Sequence, residues 1–293
     1  MDKMELVTVI IAAYNHENFV GDCIQSVMNQ IYSPIQLIVC DDCSTDETRE
    51  RINSREAECA RRFEIYDKVF NEVNIGISAT LNRALKLVRG KYVKIIAGDD
   101  ALTRNCIDVM HRMITMNYGY DVIVSNGYVV NESFELGKMQ MFMRVFYHRR
   151  PEINDHIFEK MYQGNYIFAP GVMTRASLYD RIGRYDENFA FEDYDFNMRW
   201  ARARVKAKYI NIPLVYYRRN RNSYTTLLNC EEMEKKLCRL YIEELGIIEK
   251  YKGEFEYGIY KERRNNFDNR YINLAEKEQL IKLKSMISSY KTE

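Results

Sequence analysis

A continuous run at residues 6–14 (LVTVIIAAY), rich in β-branched side chains, constrains the fold of this chain more than any other feature. A strand without polar alternation is typical of a sheet that is covered on both faces, as parallel sheets are. An apolar stripe at helical spacing follows over residues 20–31, and a second buried strand is predicted at residues 35–40. Strand, helix and strand in this order predict a parallel β-α-β unit.

The alternation of strands and helices continues along the chain. Strands are predicted at residues 62–70 and 91–97, with a helix at residues 77–88 between them. Gly90 is a C-cap signal for the end of that helix, and Ser44-Thr45-Asp46-Glu47 has the spacing of a capping box that opens a helix after the second strand. Further strands are predicted at residues 121–125, 166–175 and 207–217, and a helix at residues 191–202. The pattern predicts an α/β fold, a three-layer αβα sandwich with a mostly parallel central sheet.

Composition changes at about residue 227, where the chain becomes rich in Glu and Lys and lacks proline. We therefore predict one domain over residues 1–225 and a helical C-terminal extension over residues 226–293. Charge is balanced, with 43 Lys and Arg against 42 Asp and Glu, which disfavours nucleic acid as a partner.

Seven cysteines at irregular positions predict reduced thiols and a cytoplasmic protein. We interpret the pair Cys40 and Cys43 as incidental, because no second cysteine or histidine pair stands at zinc spacing. No stretch approaches the ~18 apolar residues of a membrane span, so membrane contact is expected to be peripheral at most.

Acidic pairs stand where predicted strands end or a helix starts: Asp41-Asp42, Asp99-Asp100 and Glu192-Asp193. Each pair by itself is also compatible with a solvated turn or a helix cap. The carboxyl ends of parallel strands meet at one edge, however, and clustered carboxylates repel each other unless a cation compensates them. Hard oxygen ligands suit Mn²⁺ or Mg²⁺ together with a diphosphate. Neither GxGxxG after the first strand nor GxxxxGK[ST] occurs, which disfavours dinucleotide-binding and P-loop enzymes.

Several segments in order resemble family 2 glycosyltransferases, which have the GT-A fold. They are residues 7–15, 26–30, 37–46, 74–78, 90–92, 97–100, 184–187 and 192–195 with Arg199. The resemblance as a whole covers about residues 5–223. It implies an inverting enzyme of the bacterial surface-polysaccharide type, whose domain over residues 1–225 binds the nucleotide-sugar and carries out catalysis.

The resemblance also implies a role for individual residues. Tyr14 and Asp42 match positions that contact the nucleotide base, and Asp99 matches the position near the ribose. Asp100 matches the metal ligand, and Asp193 matches the general base. Purely structural interpretations remain open for this set: Tyr14 covers the core, Asp42 caps the helix near Ser44, and Glu192 caps the helix that Asp193 begins.

Two positions depart from the family pattern. Ala97 replaces a frequent first acidic residue, and Asn220 replaces a histidine that commonly follows tyrosine and arginine. Arg218 and Arg219 are therefore candidates for neutralising the leaving phosphate, and Glu192 for an acceptor contact. A solvated basic turn is the alternative for the arginines.

The resemblance implies transfer of one sugar from a nucleotide-diphosphate sugar, with UDP-sugars as the expected donors, to a saccharide or lipid-linked saccharide hydroxyl. Processive relatives carry a glutamine-or-arginine-x-x-arginine-tryptophan set, which Arg199-Trp200 alone does not supply. Aromatic residues of the variable part, about residues 128–170, either stack on the acceptor sugar or belong to the core: Phe142, Phe146, Tyr147, Tyr162, Tyr166 and Phe168.

Two other functions compete with single-sugar transfer, that of a catalytically degenerate scaffold protein and that of a sugar nucleotidyltransferase. The latter predicts a glycine-rich loop after the first strand, where none stands.

Overall fold

The structure, a computed structural model, describes residues 4–116, 119–136, 144–145, 167–188 and 192–219. These residues belong to one compact unit, Met1–Phe158 with Tyr166–Arg219. A second unit, Glu159–Asn165 with Asn220–Glu293, lies outside the described residues. The predicted helical extension at residues 226–293 lies there too, and the boundary at residue 225 stays a prediction.

One mixed sheet organises the described residues. Its strands are β1 (Val7–Ala13), β2 (Ile35–Asp41), β3 (Ile65–Phe70), β4 (Tyr92–Ala97), β5 (Ala101–Leu102), β6 (Val122–Asn131), β7 (Arg144–Val145), β8 (Val172–Arg175) and β9 (Ala207–Arg219). Their order across the sheet is β3-β2-β1-β4-β8-β6-β9-β5, and β7 pairs with β6.

The first four strands in sheet order, β3, β2, β1 and β4, are mutually parallel. Strand β8 then runs antiparallel between β4 and β6, and β9 is parallel to β6. The prediction of an α/β fold with a mostly parallel sheet is confirmed. The antiparallel insertion of β8 is a feature that apolar periodicity did not reveal, because a buried strand has the same pattern in either direction.

The described helices lie between the strands. They are α1 (Val20–Met28), α2 (Thr48–Ser54), α3 (Glu56–Arg62), α4 (Ile77–Leu85), α5 (Cys106–Thr115), a 3₁₀ turn (Ala169–Gly171), α6 (Ser177–Ile182) and α7 (Glu192–Arg202). The longest of these, α7, has 11 residues, against the ~20 that a bilayer requires. In this part of the chain, no helix is both long and apolar enough to cross a membrane.

The hydrophobic core lies on both faces of the sheet. Alternate residues of β1, Val7, Val9 and Ile11, are 0% exposed and join a core cluster with α1 and α5. Ile10 is equally buried, and strand pleating directs it to the opposite face. Helix α4 contacts β1, β2 and β3, and its buried Leu81 lies outside that cluster. Helices on both faces give the three layers that the sequence predicts.

Two predicted helix boundaries are wrong, the start at residues 44–47 and the end at Gly90. Helix α2 begins at Thr48 rather than at the predicted capping box, and Asp46 accepts the Thr48 main-chain N–H at 3.0 Å. Helix α4 ends at Leu85 instead of near Gly90. A Cβ at Gly90 would lie 2.6 Å from the Thr8 main-chain nitrogen, so this glycine permits close backbone approach instead.

Candidate functional site

Four predicted site residues lie at one edge of the sheet, where β1, β2 and β4 end. Tyr14 follows β1, Asp42 follows β2, and Asp99 and Asp100 follow β4. The Asp42 main-chain N–H donates to the Ala13 carbonyl at 3.0 Å, so the first two strand ends are joined directly. Parallel pairing therefore brings together residues that are far apart in sequence.

Two loops at this edge, residues 14–19 and 42–47, are fastened to each other. Ser44 Oγ accepts the main-chain N–H of Asn15 at 2.9 Å, and Asp46 accepts that of Glu17 at 3.0 Å. Burial alone would raise the pKa of Asp46, but its hydrogen bonds with Thr48 and Glu17 outweigh burial and lower the pKa. We call this pair of loops the latched loops; they present Tyr14 and Asp42.

Tyr14 is 44% exposed although it directly follows a fully buried strand. An exposed aromatic ring at the end of a parallel strand offers a flat apolar face with a polar tip. Such a face can stack on a planar ligand such as a nucleobase. The interpretation that Tyr14 covers the core does not fit this exposure.

Asp42 is 5% exposed and its carboxylate is held by three donors. Oδ1 accepts from Asn71 Nδ2 at 2.8 Å and from the Ile75 main-chain N–H at 2.9 Å. Oδ2 accepts the Gly76 main-chain N–H at 2.8 Å, just before α4. An ionised carboxylate has about four acceptor positions. The hydrogen bonds in the described part of the chain therefore leave one position, on Oδ2.

His16, a residue that sequence reasoning missed, lies beside Asp99. The distance from His16 Nε2 to Asp99 Oδ2 is 3.9 Å. His16 Nδ1 is buried without a hydrogen-bond partner among the described residues, and it packs so closely that a Cβ at Gly98 would lie 2.9 Å away. The available signal was its position two residues after Tyr14, in a loop that follows a parallel strand.

Asp100 is 2% exposed, and its Oδ1 accepts the main-chain N–H of Arg218 at 2.8 Å. Burial raises its pKa well above the ordinary value, and the negative charge of Asp99 raises it further. The cations of Lys94 and Arg218 oppose this rise without cancelling it. Two adjacent carboxylates in this setting form an environment that a cation would stabilise.

A divalent cation fits this donor set. Among the described residues, no three His, Cys, Asp or Glu side chains are grouped as metal ligands. Mg²⁺ and Mn²⁺ that bind with a diphosphate usually need only one or two protein carboxylates, because phosphate oxygens and water complete the shell. Asp100, with Asp99 beside it, supplies hard oxygen donors of that kind.

The guanidinium of Arg218 binds protein groups rather than facing solvent. Nε donates to the Asp99 carbonyl and Nη1 to the Phe134 carbonyl, both at 2.8 Å. Nη2 lies 3.4 Å from Asp22 Oδ2, and the guanidinium carbon lies 4.7 Å from the centre of the Phe19 ring. Arg218 is thus 2% exposed and joins several segments at the edge of the sheet.

Arg219, the other arginine predicted to contact phosphate, is exposed at the end of β9. Arg219 could contact a ligand while all described hydrogen bonds stay in place, whereas Arg218 would first have to break its contacts with the protein. The roles of both as phosphate contacts stay predictions. The alternative of a solvated basic turn does not fit Arg218, since that side chain is buried.

Asp193 and Glu192 lie in the first turn of α7, and both are partly exposed. Burial raises the pKa of Tyr185, and the charges of Tyr179, Glu192 and Asp193 add to this rise, which places both carboxylates near that phenol. A helix rather than a strand end carries these two residues, so their approach to the Asp99-Asp100 pair stays a prediction.

The neighbouring Asp195 has a structural role. Its carboxylate is 0% exposed and accepts from Arg199 Nε at 2.8 Å, one helical turn away. Arg199 also donates to the Ile182 carbonyl at 2.9 Å, which anchors α7 to the end of α6. This ion pair fixes the direction of the helix whose first turn carries Asp193.

Most of the aromatic residues predicted to form the acceptor pocket lie outside the described residues: Phe142, Phe146, Tyr147, Tyr162 and Tyr166. So does Asn220. Phe168 is described, and it is 6% exposed, belongs to the core cluster and packs edge-on against Tyr217 at 5.9 Å. For Phe168, the core interpretation is therefore the correct one.

Known protein families and individual proteins are similar to this chain. The family model described as Glycosyl transferase family 2 matches residues 8–183. Glycosyltransferase GlyA of Streptococcus pneumoniae serotype 4 is 29% identical over 225 residues, which cover 74% of this chain but only 31% of GlyA. The Escherichia coli UDP-Glc:alpha-D-GlcNAc-diphosphoundecaprenol beta-1,3-glucosyltransferase WfaP is 28% identical over 223 residues, which cover 73% of this chain and 78% of WfaP.

Solved structures share the fold. Staphylococcus aureus TarS residues 1–349, in complex with UDP-GlcNAc, matches with a TM-score of 0.62 at 18% identity, over 93% of this chain and 74% of that one. The mannosyltransferase PcManGT of Pyrobaculum calidifontis, in complex with GDP-Man and Mn²⁺, matches with a TM-score of 0.58 at 16% identity, over 99% of this chain and 76% of that one. At these identities the likeness concerns the fold alone.

Proposed function

This chain belongs to glycosyl transferase family 2, whose model matches residues 8–183, and on that premise we propose that it transfers one sugar from a UDP-sugar to a saccharide hydroxyl with inversion. The observation that carries the proposal is the shared edge at which Tyr14, Asp42, Asp99 and Asp100 lie. That edge combines the exposed ring of Tyr14, a carboxylate with one remaining acceptor position at Asp42, and the two adjacent carboxylates of Asp99 and Asp100. A nucleoside diphosphate needs these groups in one place.

The nucleoside end of the donor is assigned to the latched loops. Tyr14 offers its exposed face to the base, and Asp42 accepts a hydrogen bond from a ring N–H through its remaining acceptor position on Oδ2. Asp99 lies beyond them at the end of β4, within reach of the ribose in this assignment. The name of WfaP specifies UDP-glucose as its donor, which supports uridine as the base here.

The diphosphate end of the donor is assigned to the end of β4. Asp100, with Asp99 beside it, would hold Mn²⁺ or Mg²⁺ there. When bound, such a cation supplies Lewis-acid stabilisation of the negative charge on the departing diphosphate. Asp100 is suited to this role because its Oδ1 is already fixed by the Arg218 main-chain N–H at 2.8 Å. PcManGT, which has the same fold, is described in complex with Mn²⁺.

We assign the general base to Asp193. As the acceptor oxygen attacks the anomeric carbon, its proton moves to the Asp193 carboxylate, and the bond from the anomeric carbon to the diphosphate oxygen breaks. The nucleoside diphosphate leaves with the bonding electrons. Attack on the face opposite the leaving group inverts the anomeric configuration. Glu192, next to the base, is assigned to the acceptor.

The proposed acceptor is a saccharide or a lipid-linked saccharide used in capsule, O-antigen or exopolysaccharide synthesis. The name of WfaP specifies a sugar on a diphosphoundecaprenol carrier, which supports an acceptor of this class. A lipid-linked acceptor would place the enzyme at the inner face of the membrane, in peripheral contact with it.

The test is nucleotide binding followed by donor turnover. UDP with Mn²⁺ should raise the melting temperature of the purified chain, and one member of a panel of UDP-sugars should be slowly hydrolysed to UDP. Absence of any response to UDP, GDP or other nucleoside diphosphates would contradict the proposal and favour the scaffold hypothesis. Formation of a nucleotide-sugar from a nucleoside triphosphate and a sugar phosphate would instead indicate a nucleotidyltransferase.

A further inference from the structure

A chain of hydrogen bonds leads from Arg83 on α4 to the carboxylate of Asp42. Arg83 Nη1 donates to Asn71 Oδ1. Asn71 Nδ2 in turn donates to Asp42 Oδ1 at 2.8 Å and to Thr80 Oγ1 at 2.7 Å. A cation is thus connected to an anion through one neutral amide, an arrangement in which each hydrogen bond polarises and strengthens the next.

The position and orientation of the Asn71 amide beside Asp42 are fixed by its surroundings. Its side chain is 0% exposed, its main-chain N–H donates to the Asp41 carbonyl at 2.9 Å, and its carbonyl accepts from Arg49 at 2.8 Å. Guanidinium groups only donate and ionised carboxylates only accept. Arg83 and Asp42 together therefore fix which end of the Asn71 amide faces each of them.

We propose, resting on the proposed function, that Arg83 is a positioning residue for base recognition. By holding Asn71, it fixes the Asp42 carboxylate so that the single remaining acceptor position, on Oδ2, faces the base. A fixed carboxylate with only an acceptor to offer selects bases that present a ring N–H. Uracil has such a donor at N3, whereas cytosine has an acceptor at the same position.

The loss of Arg83 would act on Asp42 through Asn71. The amide oxygen would become a buried acceptor without a donor, which is costly, and Asn71 would leave its position or admit water. The carboxylate would then lose one of its three donors and be held only by the Ile75 and Gly76 main-chain N–H groups, so its orientation would be less tightly fixed. The preference for a ring N–H would weaken, while Tyr14 would still stack on any base.

Arg83 can be substituted without opening a cavity in the apolar core, because its side chain is exposed. It lines an open cleft of about 440 Å³ between α4 and α6, together with Lys86, Asp180 and Arg184. Lys86 lies three residues further along on the same exposed face and carries the same charge. It supplies a matched control for general effects of removing a cation from this cleft.

The experiment measures dissociation constants for UDP and CDP by titration calorimetry with Mn²⁺ present, on the full chain and its variants. Arg83→Gln should weaken UDP binding by ~5- to 30-fold, as expected for one lost charge-assisted contact, and leave CDP binding within about twofold. Lys86→Gln should leave both constants unchanged. Asn71→Leu should match Arg83→Gln, and the double variant should lose no more than either alone, because both act on one contact.

Equal weakening of UDP and CDP by Arg83→Gln, or additive losses in the double variant, would overturn the proposal. If Arg83→Gln does not fold, Arg83→Lys is measured instead. Its single ammonium should retain part of the preference for UDP over CDP. The two proposals fail separately. A wild-type chain that binds no nucleoside diphosphate removes the proposed function, whereas a wild-type preference for UDP that persists in Arg83→Gln removes only the role of Arg83.

Discussion

The main-chain N–H of Arg218 donates to Oδ1 of Asp100 at 2.8 Å, across 118 residues of sequence. The end of β9 is therefore part of the candidate metal site, although the predicted contribution from this segment was a side chain. Because the donor belongs to the backbone, a substitution at position 218 does not remove it. The guanidinium of Arg218 instead holds the strand end in place through the Asp99 carbonyl.

Asp100→Asn should abolish the metal-dependent part of UDP binding. The amide keeps the acceptor for the Arg218 N–H but loses the negative charge that a divalent cation requires. A ligand at about 100 times its dissociation constant stabilises a protein by ~2.7 kcal/mol, so the wild-type thermal shift should be large. Thermal unfolding with UDP, with and without Mn²⁺, measures this. An unchanged Mn²⁺ effect in the variant would contradict the assignment, and exposed Asp180→Asn is the control.

Asp193→Asn should lower kcat by ~10²- to 10⁴-fold, the usual range for a lost general base. The dissociation constant for UDP should stay the same, because the proposed role concerns the acceptor proton. Glu192→Gln, one residue earlier in the same helical turn, should raise the KM for the acceptor, in line with its assigned contact, and retain most of kcat at saturating acceptor. Steady-state assays of UDP release with acceptor present check both variants. Equal losses in the two would argue against a specific role for Asp193.

Arg218→Met should destabilise the fold by about 3 kcal/mol, because buried carbonyls lose a charged donor. Arg219→Met, at the neighbouring exposed position, should change stability by no more than about 0.5 kcal/mol. Urea unfolding followed by circular dichroism compares them. A similar small effect for both variants would show that the contacts of Arg218 add little to stability.

The architecture was predictable because its strongest signals are local. Residues 6–14 and 35–40 are predominantly apolar, each with a single polar residue, Thr8 or Gln36, and a doubly covered sheet accommodates such runs side by side. The direction of β8 was not predictable, since pairing partners depend on contacts far apart in sequence. Helix α5 (Cys106–Thr115), by contrast, carries a local signal, since its buried residues stand at helical spacing, and this signal was overlooked.

The candidate site was predictable where residue type and strand end coincide, as for Asp42 and Asp100. It was not predictable where a contact arises from folding alone. Nothing in the sequence marks His16 as a neighbour of Asp99, or Asn71 as the donor that holds Asp42. A residue such as Arg218 can also match a predicted ligand contact and yet be buried against carbonyl groups.

Gly171→Ala should be clearly destabilising, because a Cβ there would lie 2.4 Å from the Ser125 carbonyl oxygen, which belongs to the backbone of β6. Gly21→Ala is the matched substitution in open space, with nothing within 4 Å of the added Cβ. Since Gly21 lies within α1, alanine should stabilise the helix by roughly 0.5–1 kcal/mol. Thermal unfolding of the two variants should therefore shift in opposite directions, and equal shifts would contradict this packing.

Stability should decrease below about pH 6.5 because of His111. Burial lowers the pKa of His111 from its ordinary value of 6.5, although the Glu5 carboxylate and Asp108 act in the opposite direction. Below that pH the unfolded chain takes up a proton that the folded chain resists, so the free energy of unfolding decreases as the pH decreases.

The residues packed around this imidazole make the substitution His111→Phe feasible. Tyr32 lies 4.7 Å and Tyr92 5.3 Å from its ring centre, so another aromatic ring fits the contacts. Glu5, Asp108 and Lys91 carry the charges that act on His111. Urea midpoints at pH 7.5, 6.5 and 5.5 should fall less in His111→Phe than in the wild type. Parallel curves would show that His111 does not contribute to the acid sensitivity.

The latched loops have a kinetic consequence. Asn15 and Cys43 both adopt left-handed backbone angles, with φ of 54° and 61°, and side-chain hydrogen bonds tie the two turns together. Loops that are tied together in this way have their shape before the donor arrives, so little chain entropy is lost when the nucleoside binds. Donor capture should therefore proceed without a lag for loop rearrangement.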